Sequence, residues 1–530
     1  MKKILWVLAA MALISVESKG QFVHSDTIQF STLNENQADT AYFWVRNVGV
    51  LDMNLVGITP VYRYSLGQFQ TILPGSPIPV GDSAQVGIIF SPAHNVLHKV
   101  PMIVRLGNKL GYELLSFKGQ GQWSQTYYSS TENKSEQNLR AALTVRLGQG
   151  YTSLSYTTAR DNMYGSLDNH NGQVTCVYTG RSATFNTRAG ANANNINCEH
   201  TFPQSKFNSA QPMKADIHHL FPSDASANSS RSNHPFGVVV GTPDWSNGGS
   251  KRKGSLFEPR DVHKGDAARA MLYFVARYGD YQNFFAPQEP ILTQWHEDFP
   301  PDSLDRLRNQ GIYNLQYNRN PFIDYPQITE RVSDWVGTSP SNPQAEMHWS
   351  EDTLLCGTGM SMTGMRHLII VNTGLADLVL NNWQFSSSSV SVNPSGTMTI
   401  PPGEARTIEV HYDLAINYNG QSFSVQTNDP NLSSKTWYMK TTNTFGLEEG
   451  TPEPVLKWRA KQQQLEVWPV KEGAEVSVYD ASGRLVHKGR ATSEATEDQP
   501  LMIRGDMPRA GVIHIEHQSG PQSVKFVINQ

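Results

Sequence analysis

At 530 residues the chain is too long for a single core, and three or four domains are the natural division. A hydrophobic share of 38% with 17% charged residues excludes a disordered chain and describes a folded, loop-rich one. The formal net charge of −4 excludes a basic field over the whole molecule, while leaving room for a local anion site.

In chain order, Lys2 and Lys3 precede an apolar run, "ILWVLAAMALISV", and then the small-residue stretch "SKG". This is the layout of a secretory signal peptide over residues 1–20, cut near Gly20, and the run is too short to span a membrane comfortably. An N-terminal anchor helix is the alternative. No stop-transfer pattern and no second long apolar run follow, so the sequence predicts an exported protein, secreted or at the cell surface, with no stable membrane span after cleavage. Three cysteines are few for such a protein, so cores rather than a disulfide framework must hold its domains. Cys176 and Cys198 fall in one predicted domain and either pair or stay free; pairing would leave Cys356 over.

Residues 22–121 alternate apolar and polar in short runs. "AYFWVRNVG", "AQVGIIFSP" and "KVPMIVRLG" read as strands of an all-β sandwich. Residues 345–446 read the same way, and a weak internal repeat links the two. "VRNVGVLDMNL" aligns with "IVNTGLADLVL", matching Asn47 with Asn372, Gly49 with Gly374 and Asp52 with Asp377. Both segments resemble immunoglobulin-like modules. The last segment, 452–530, is again β-rich. Its "AEVSVYDASGRLV" and "AGVIHIEHQSGPQSVKFVINQ", with Tyr479, Asp480, Gly483, Gly511 and Lys525, resemble the C-terminal sorting domain of the type IX secretion pathway. That resemblance implies a β-sandwich address read by the type IX secretion machinery. "VWPVKEG" departs from the pattern by lacking the usual Asn-Pro pair; a third plain β-sandwich is the alternative.

The middle, 122–340, differs in kind. "EQNLRAALTVRL" and "KGDAARAMLYFVARYGD" predict helices. In the second, Ala267, Met271, Phe274, Val275 and Tyr278 form a core-facing stripe, with Asp266 in the first turn and Arg277 in the last. Between these helices runs "NINCEHTFPQSKFNSAQPMKADIHHLFPSDASANSSRSNHPFG", dense in His, Asn and Asp. Such a set suits phosphodiester hydrolysis: a neutral His to deprotonate water, and oxygen ligands such as Glu and Asn for Mg²⁺, which keeps several waters and needs few protein ligands.

The ordered blocks "NCEHTFPQSKF", "DIHHLFPSDASANSSRSNHPFG", "GDAARAMLYFVARYG" and "YNRNPFIDYP" resemble the bacterial endonuclease I family of secreted nucleases over about 130–335. The resemblance implies a multidomain protein: an α+β ββα-metal nuclease domain at 122–340, flanked by all-β sandwiches. It implies His200 as general base and Glu199 and Asn228 as ligands of Mg²⁺ (or Ca²⁺ or Mn²⁺). Asp216, His219 and Arg231 would support the site. The substrate would be DNA, with RNA open as well, cleaved with little sequence specificity to leave 5′-phosphates. A surface adhesin carrying an inactive nuclease fold is the alternative.

The family's phosphate-contacting arginine is missing from the interval Thr201–Ala215, which holds Lys206 and Lys214 instead. Those lysines, or Arg231, are the candidate replacements. His218 reads as exposed or structural, Asp266 and Arg269 as a helix-borne ion pair, and Asn318, Arg319, Asn320 and Asp324 as fasteners of a turn. Lys251–Arg252–Lys253 reads as a mobile basic loop. Acidic and basic residues balance across 122–340, which argues for modest affinity and against a sequence-specific reader. One difficulty is geometric: adjacent strand residues point to opposite faces, so Glu199 and His200 cannot share one face of an ideal strand.

Overall fold

The computed structural model describes residues 20–22, 27–48, 52–64, 68–75, 77–106, 112–279, 281–337, 343–357 and 363–442, plus the strands and a few flanking residues between 455 and 527. Residues 1–19, nearly all of the expected signal peptide, lie outside them, as do Gly49 of the repeat and Gly483 near the C-terminus. The chain divides into a larger unit, Ser18–Arg105 with Gly111–Thr441, and a smaller one that contains Thr442–Gln530.

In the larger unit the N-terminal strands form two sheets, a four-stranded one that includes Asp39–Asn47 and Ser83–Phe90, and a second that includes Leu97–Leu106 and Tyr112–Gln122. Period-two alternation does its expected work: Phe43 and Val45 are buried while Tyr42 and Trp44 between them are exposed. The region after residue 345 repeats the plan with a four- and a five-stranded sheet sharing one core around Leu368, Ile370, Val410 and Trp437.

The repeat in the sequence is a repeat of hydrogen bonds. Asn47 and Asn372 are fully buried, and each ends a strand. Asn47 Nδ2 donates to Ile78 O (2.9 Å), and Asn372 Nδ2 to Ile400 O (2.8 Å). The backbone N–H of each reaches the matching turn (Asp82 O and Glu404 O, both 2.9 Å), and Gly81 and Gly403 donate back to their carbonyls. A buried amide that closes a turn on both sides leaves carbonyls orphaned when removed, so N372A should destabilise its sheet pair by about 1–3 kcal/mol. Thermal melting of N372A checks this, and N47A should shift the same way.

The middle region packs helices around small sheets. Its centre is the Asp261–Tyr278 helix, which is buried almost all round from Ala267 to Arg277 rather than along one stripe. Ala267, Ala268, Ala270 and Ala276 let neighbours approach closely from several sides. The helix starts at Asp261, so Asp266 sits beyond the first turn and Asp261 occupies the dipole position instead. Asp266 does pair with Arg269 (2.6 Å), which also bridges to Asp305 (3.0 Å). Farther on, Arg319 grips Asp324 through two bonds (2.7 and 2.8 Å), and Asn320 caps Pro321–Asp324. Trp123 stacks on Tyr325 at 3.9 Å, fixing the end of the middle region to the strand that precedes it.

One further expectation is corrected. Lys251–Arg252–Lys253 is no loop but lies in the Ser250–Lys253 strand of a three-stranded sheet. Gly249 and Gly254, at φ 96° and 56°, make the tight turns on either side that leave so short a strand looking loop-like in sequence. Lys253 Nζ is bonded to Val240 O (2.9 Å), and Arg252 lies 3.6 Å from Asp244. The three cysteines are free thiols, so Cys176 and Cys198 do not pair. The smaller unit carries a three-stranded sheet and a four-stranded one that ends in an antiparallel hairpin, Ala510–His517 with Gly520–Val527. Among the described residues no helix is long and apolar enough to cross a membrane.

Candidate active site

The "NINCEH" stretch forms a strand, Ile196–His200, antiparallel to Leu220–Asp224, and the chain then enters the Ala225–Arg231 helix. Asp224 starts that helix by accepting Ser226 N–H (3.0 Å) at its N-cap. Strand, strand and helix are therefore consecutive in space as in sequence. Asn228 and Arg231, one turn apart on the helix, lie against one face of the first strand. Asn228 Nδ2 donates to Asn197 Oδ1 (2.8 Å) and Cys198 O (3.3 Å), and Arg231 Nε lies 3.2 Å from Glu199 Oε1.

Glu199 is 2% exposed, and Tyr178 O–H donates to its Oε1 (2.8 Å). Burial pushes its carboxyl up to about 7, against the opposing pull of Arg231 and Tyr178. Arg231 is itself buried and also donates to Thr201 O (2.6 Å), so its guanidinium is committed to holding Glu199 and the strand end. Glu199 Oε2 and Asn228 Oδ1 take no protein partner among the described residues, and neither is a sealed, orphaned atom. Two free oxygens of a carboxylate and an amide on one face suit a hard cation that keeps most of its waters. Among the described residues no three His, Cys, Asp or Glu side chains gather as a metal cage. The donor set thus fits a hard divalent cation that keeps most of its waters.

His200 is the last residue of its strand, and its contacts lie on the other face. Its ring packs by Tyr156 (5.4 Å between centroids) and His219 (5.5 Å). Nε2 bonds Lys214 O at 3.0 Å; a carbonyl only accepts, so Nε2 carries the proton and Nδ1 keeps its lone pair. Nδ1 has no partner among the described residues and is not sealed in. Burial, with His219 nearby, lowers the imidazole to about 3 and holds it neutral. The alternation of strand faces is thus obeyed, and the site straddles the strand end.

The loop behind this strand end hangs on Asp216, fully buried. Its Oδ2 accepts from Arg277 (2.5 Å), Tyr273 (2.8 Å) and Tyr278 (2.7 Å), and its Oδ1 from Gln316 (2.9 Å). His219 Nε2 bonds Met213 O (2.7 Å) while its ring backs His200. His218 is buried, its Nε2 3.2 Å from Asn318 O. Lys214 leans over the Tyr156 ring at 5.3 Å, whereas Lys206 lies over Phe284 at 4.7 Å. Sequence reasoning missed Tyr178, Tyr156 and Arg160. A Tyr-x-x-x-Arg spacing in a helical stretch puts Tyr156 and Arg160 on one face, a readable signal; nothing in the sequence ties Tyr178 to Glu199.

Comparison with known proteins follows the same residues. The sequence profile of the Endonuclease I family matches 131–327. An extracellular ribonuclease of Bacillus subtilis is 34% identical over 227 residues, covering 39% of this chain and 78% of that protein. An extracellular deoxyribonuclease of Aeromonas hydrophila is 32% identical over 116 residues, covering 21% of this chain and 50% of that protein. A periplasmic deoxyribonuclease of the same organism is 32% identical over 123 residues, 21% of this chain and 48% of that protein. The matched span encloses the strand–strand–helix unit with Glu199, His200 and Asn228, and so the chain belongs to the endonuclease I family, a hydrolase of the nuclease class.

Proposed function

We propose that this protein is an exported, metal-dependent endonuclease that cleaves DNA and RNA phosphodiesters with little sequence preference and leaves 5′-phosphates. The observation that carries the reading is His200: its proton is pinned at Nε2 by Lys214 O and its Nδ1 is left open at the strand end. Nδ1 takes the proton from the attacking water. Glu199 and Asn228 would hold Mg²⁺, or Ca²⁺ or Mn²⁺ in its place, in a ββα-metal arrangement. A cation bound there would supply positive charge to offset the charge that develops on the scissile phosphate and its leaving oxygen. Arg231 and Tyr178 aim Glu199, and Asp216 and His219 fix the loop that orients His200.

Export is supported by the relatives, which are extracellular or periplasmic enzymes, and both ribonucleases and deoxyribonucleases occur among them. The same reading takes 22–121 and 345–446 as immunoglobulin-like modules flanking a 122–340 nuclease domain. It takes 452–530 as a sorting unit handed to the type IX secretion machinery; the C-terminal hairpin is compatible with that role.

The metal assignment is tested by Mn²⁺ titration followed by electron paramagnetic resonance, with E199Q and N228A beside the wild type. Both variants should bind at least about tenfold more weakly, on the order seen when metal-site groups are removed, and lose cleavage in step. Wild-type affinity in both would move the metal elsewhere. Rates on matched DNA and RNA strands of one sequence then set the preference between the two substrates.

A further inference from the structure

The Tyr156–Asn162 helix brings a second set of groups to His200 that the assignments above do not use. Tyr156 lies with its ring 5.4 Å from that of His200, and its hydroxyl bonds to Cys198 on the same face of the strand. Two cations share this one ring: the Arg160 guanidinium at 4.2 Å and the Lys214 ammonium at 5.3 Å. Neither is neutralised. Arg160 spends only its Nε, on Tyr156 O of its own helix (3.4 Å), and no carboxylate pairs with Arg160 or Lys214 among the described residues. Most other arginines of the region are committed: Arg181 to Asp224, Arg188 to Asp161, Arg277 to Asp216 and Arg308 to Asp168.

Two half-buried, unpaired positive charges on one aromatic ring repel each other, and they persist where an anion completes the site. The anion that must come within reach of His200 Nδ1 is a phosphodiester. We propose that Arg160 and Lys214, held side by side by the Tyr156 ring, are the clamp on the scissile phosphate. The clamp does the work expected of the arginine that is missing from Thr201–Ala215, and Arg231, committed to Glu199 and Thr201, does not take part. Arg160 offers its two terminal nitrogens as a fork to two phosphate oxygens, while Lys214 acts as a point charge. Tyr156 is a positioning residue: it touches the cations, not the substrate.

This inference rests on the nuclease reading, and the experiment separates the two. The affinity of a fluorescein-labelled DNA duplex is measured by anisotropy against salt concentration, in the H200A background so that binding is read without turnover. Each phosphate contact contributes about 0.9 to the slope of log affinity against log salt. R160Q and K214Q should each flatten the slope by about that amount, and Y156L by roughly twice it. Y156F, which keeps the ring, should leave the slope unchanged. In the otherwise wild-type enzyme R160Q should lower kcat/KM for cleavage on the order of 10²-fold, with R160K recovering part of it. Unchanged slopes and wild-type kcat/KM in folded R160Q and K214Q would overturn the clamp and leave the nuclease reading intact. Absence of cleavage by the wild-type enzyme would remove the nuclease reading, and the binding slopes would still decide whether these residues hold phosphate.

Discussion

H200A is expected to fold, to bind divalent cation and nucleic acid as the wild type does, and to lose cleavage by about 10²–10⁴-fold. The magnitude is that of a positioned base, and the selectivity follows from the geometry. His200 faces Tyr156 and His219, whereas the oxygens of Glu199 and Asn228 lie across the strand. Removing the imidazole therefore removes a proton acceptor without disturbing the cation's donors. The strand end itself is held by backbone pairing and by Arg231 on Thr201 O, neither of which needs the His200 ring. Single-turnover cleavage of a labelled duplex, with Mn²⁺ affinity measured in parallel, checks both halves. Wild-type turnover in H200A would place the base elsewhere. Loss of metal affinity together with turnover would mean that the ring supports the metal site, contrary to the face assignment.

D216A should lower stability by about 3–5 kcal/mol, because it leaves the buried Arg277 guanidinium without its carboxylate and four further donors, on Tyr273, Tyr278, Gln316 and the His218 backbone, without this acceptor. The effect carries a pH signature. Burial pushes the Asp216 carboxyl up, but Arg277, with His218, His219 and the Tyr278 hydroxyl, more than offsets this and holds it well below the usual carboxylate range. A carboxyl depressed by folding contributes stability that is fully present above its unfolded value of about 3.9 and drains away as pH falls toward the folded one. The gap in melting temperature between wild type and D216N should accordingly be constant near neutrality and shrink as pH drops below about 5. A gap that stays constant down to about pH 3 would contradict the account. Activity should fall with stability in D216N, since the same loop carries Lys214 O, the acceptor that fixes His200.

Much of the architecture was readable where burial is one-sided. Along 39–47 exposed and buried residues alternate from Tyr42 onward, along 83–90 Val86, Ile88 and Phe90 face the core, and Asn47 and Asn372 occupy matching places with the same buried turn contacts. The helix at 261–278 was harder, because burial on all sides erases the amphipathic stripe and its start precedes the apolar pattern. The strand at 250–253 was missed because three consecutive basic residues carry no period, and its pairing comes from neighbours on both sides. In the site, the ordered motifs that resemble the endonuclease I family, rather than adjacency or spacing alone, singled out Glu199, His200 and Asn228. Which face each residue takes depends on where the strand ends, and that is set by pairing with Leu220–Asp224 rather than by local sequence. Tyr178 reaches Glu199 through tertiary packing, which no spacing near the motif encodes, whereas Arg160 meets the Tyr156 ring four residues on along one helix.

The central claim, hydrolysis by a cation-loaded site built on Glu199, His200 and Asn228, is most directly tested by plasmid nicking with purified protein, first with Mg²⁺ and then with EDTA in excess. Conversion of supercoiled plasmid to open circle with Mg²⁺, abolished by EDTA and restored by added Mg²⁺, is the predicted result. Intact plasmid under every condition with correctly folded protein, or nicking that persists undiminished in EDTA, would contradict it.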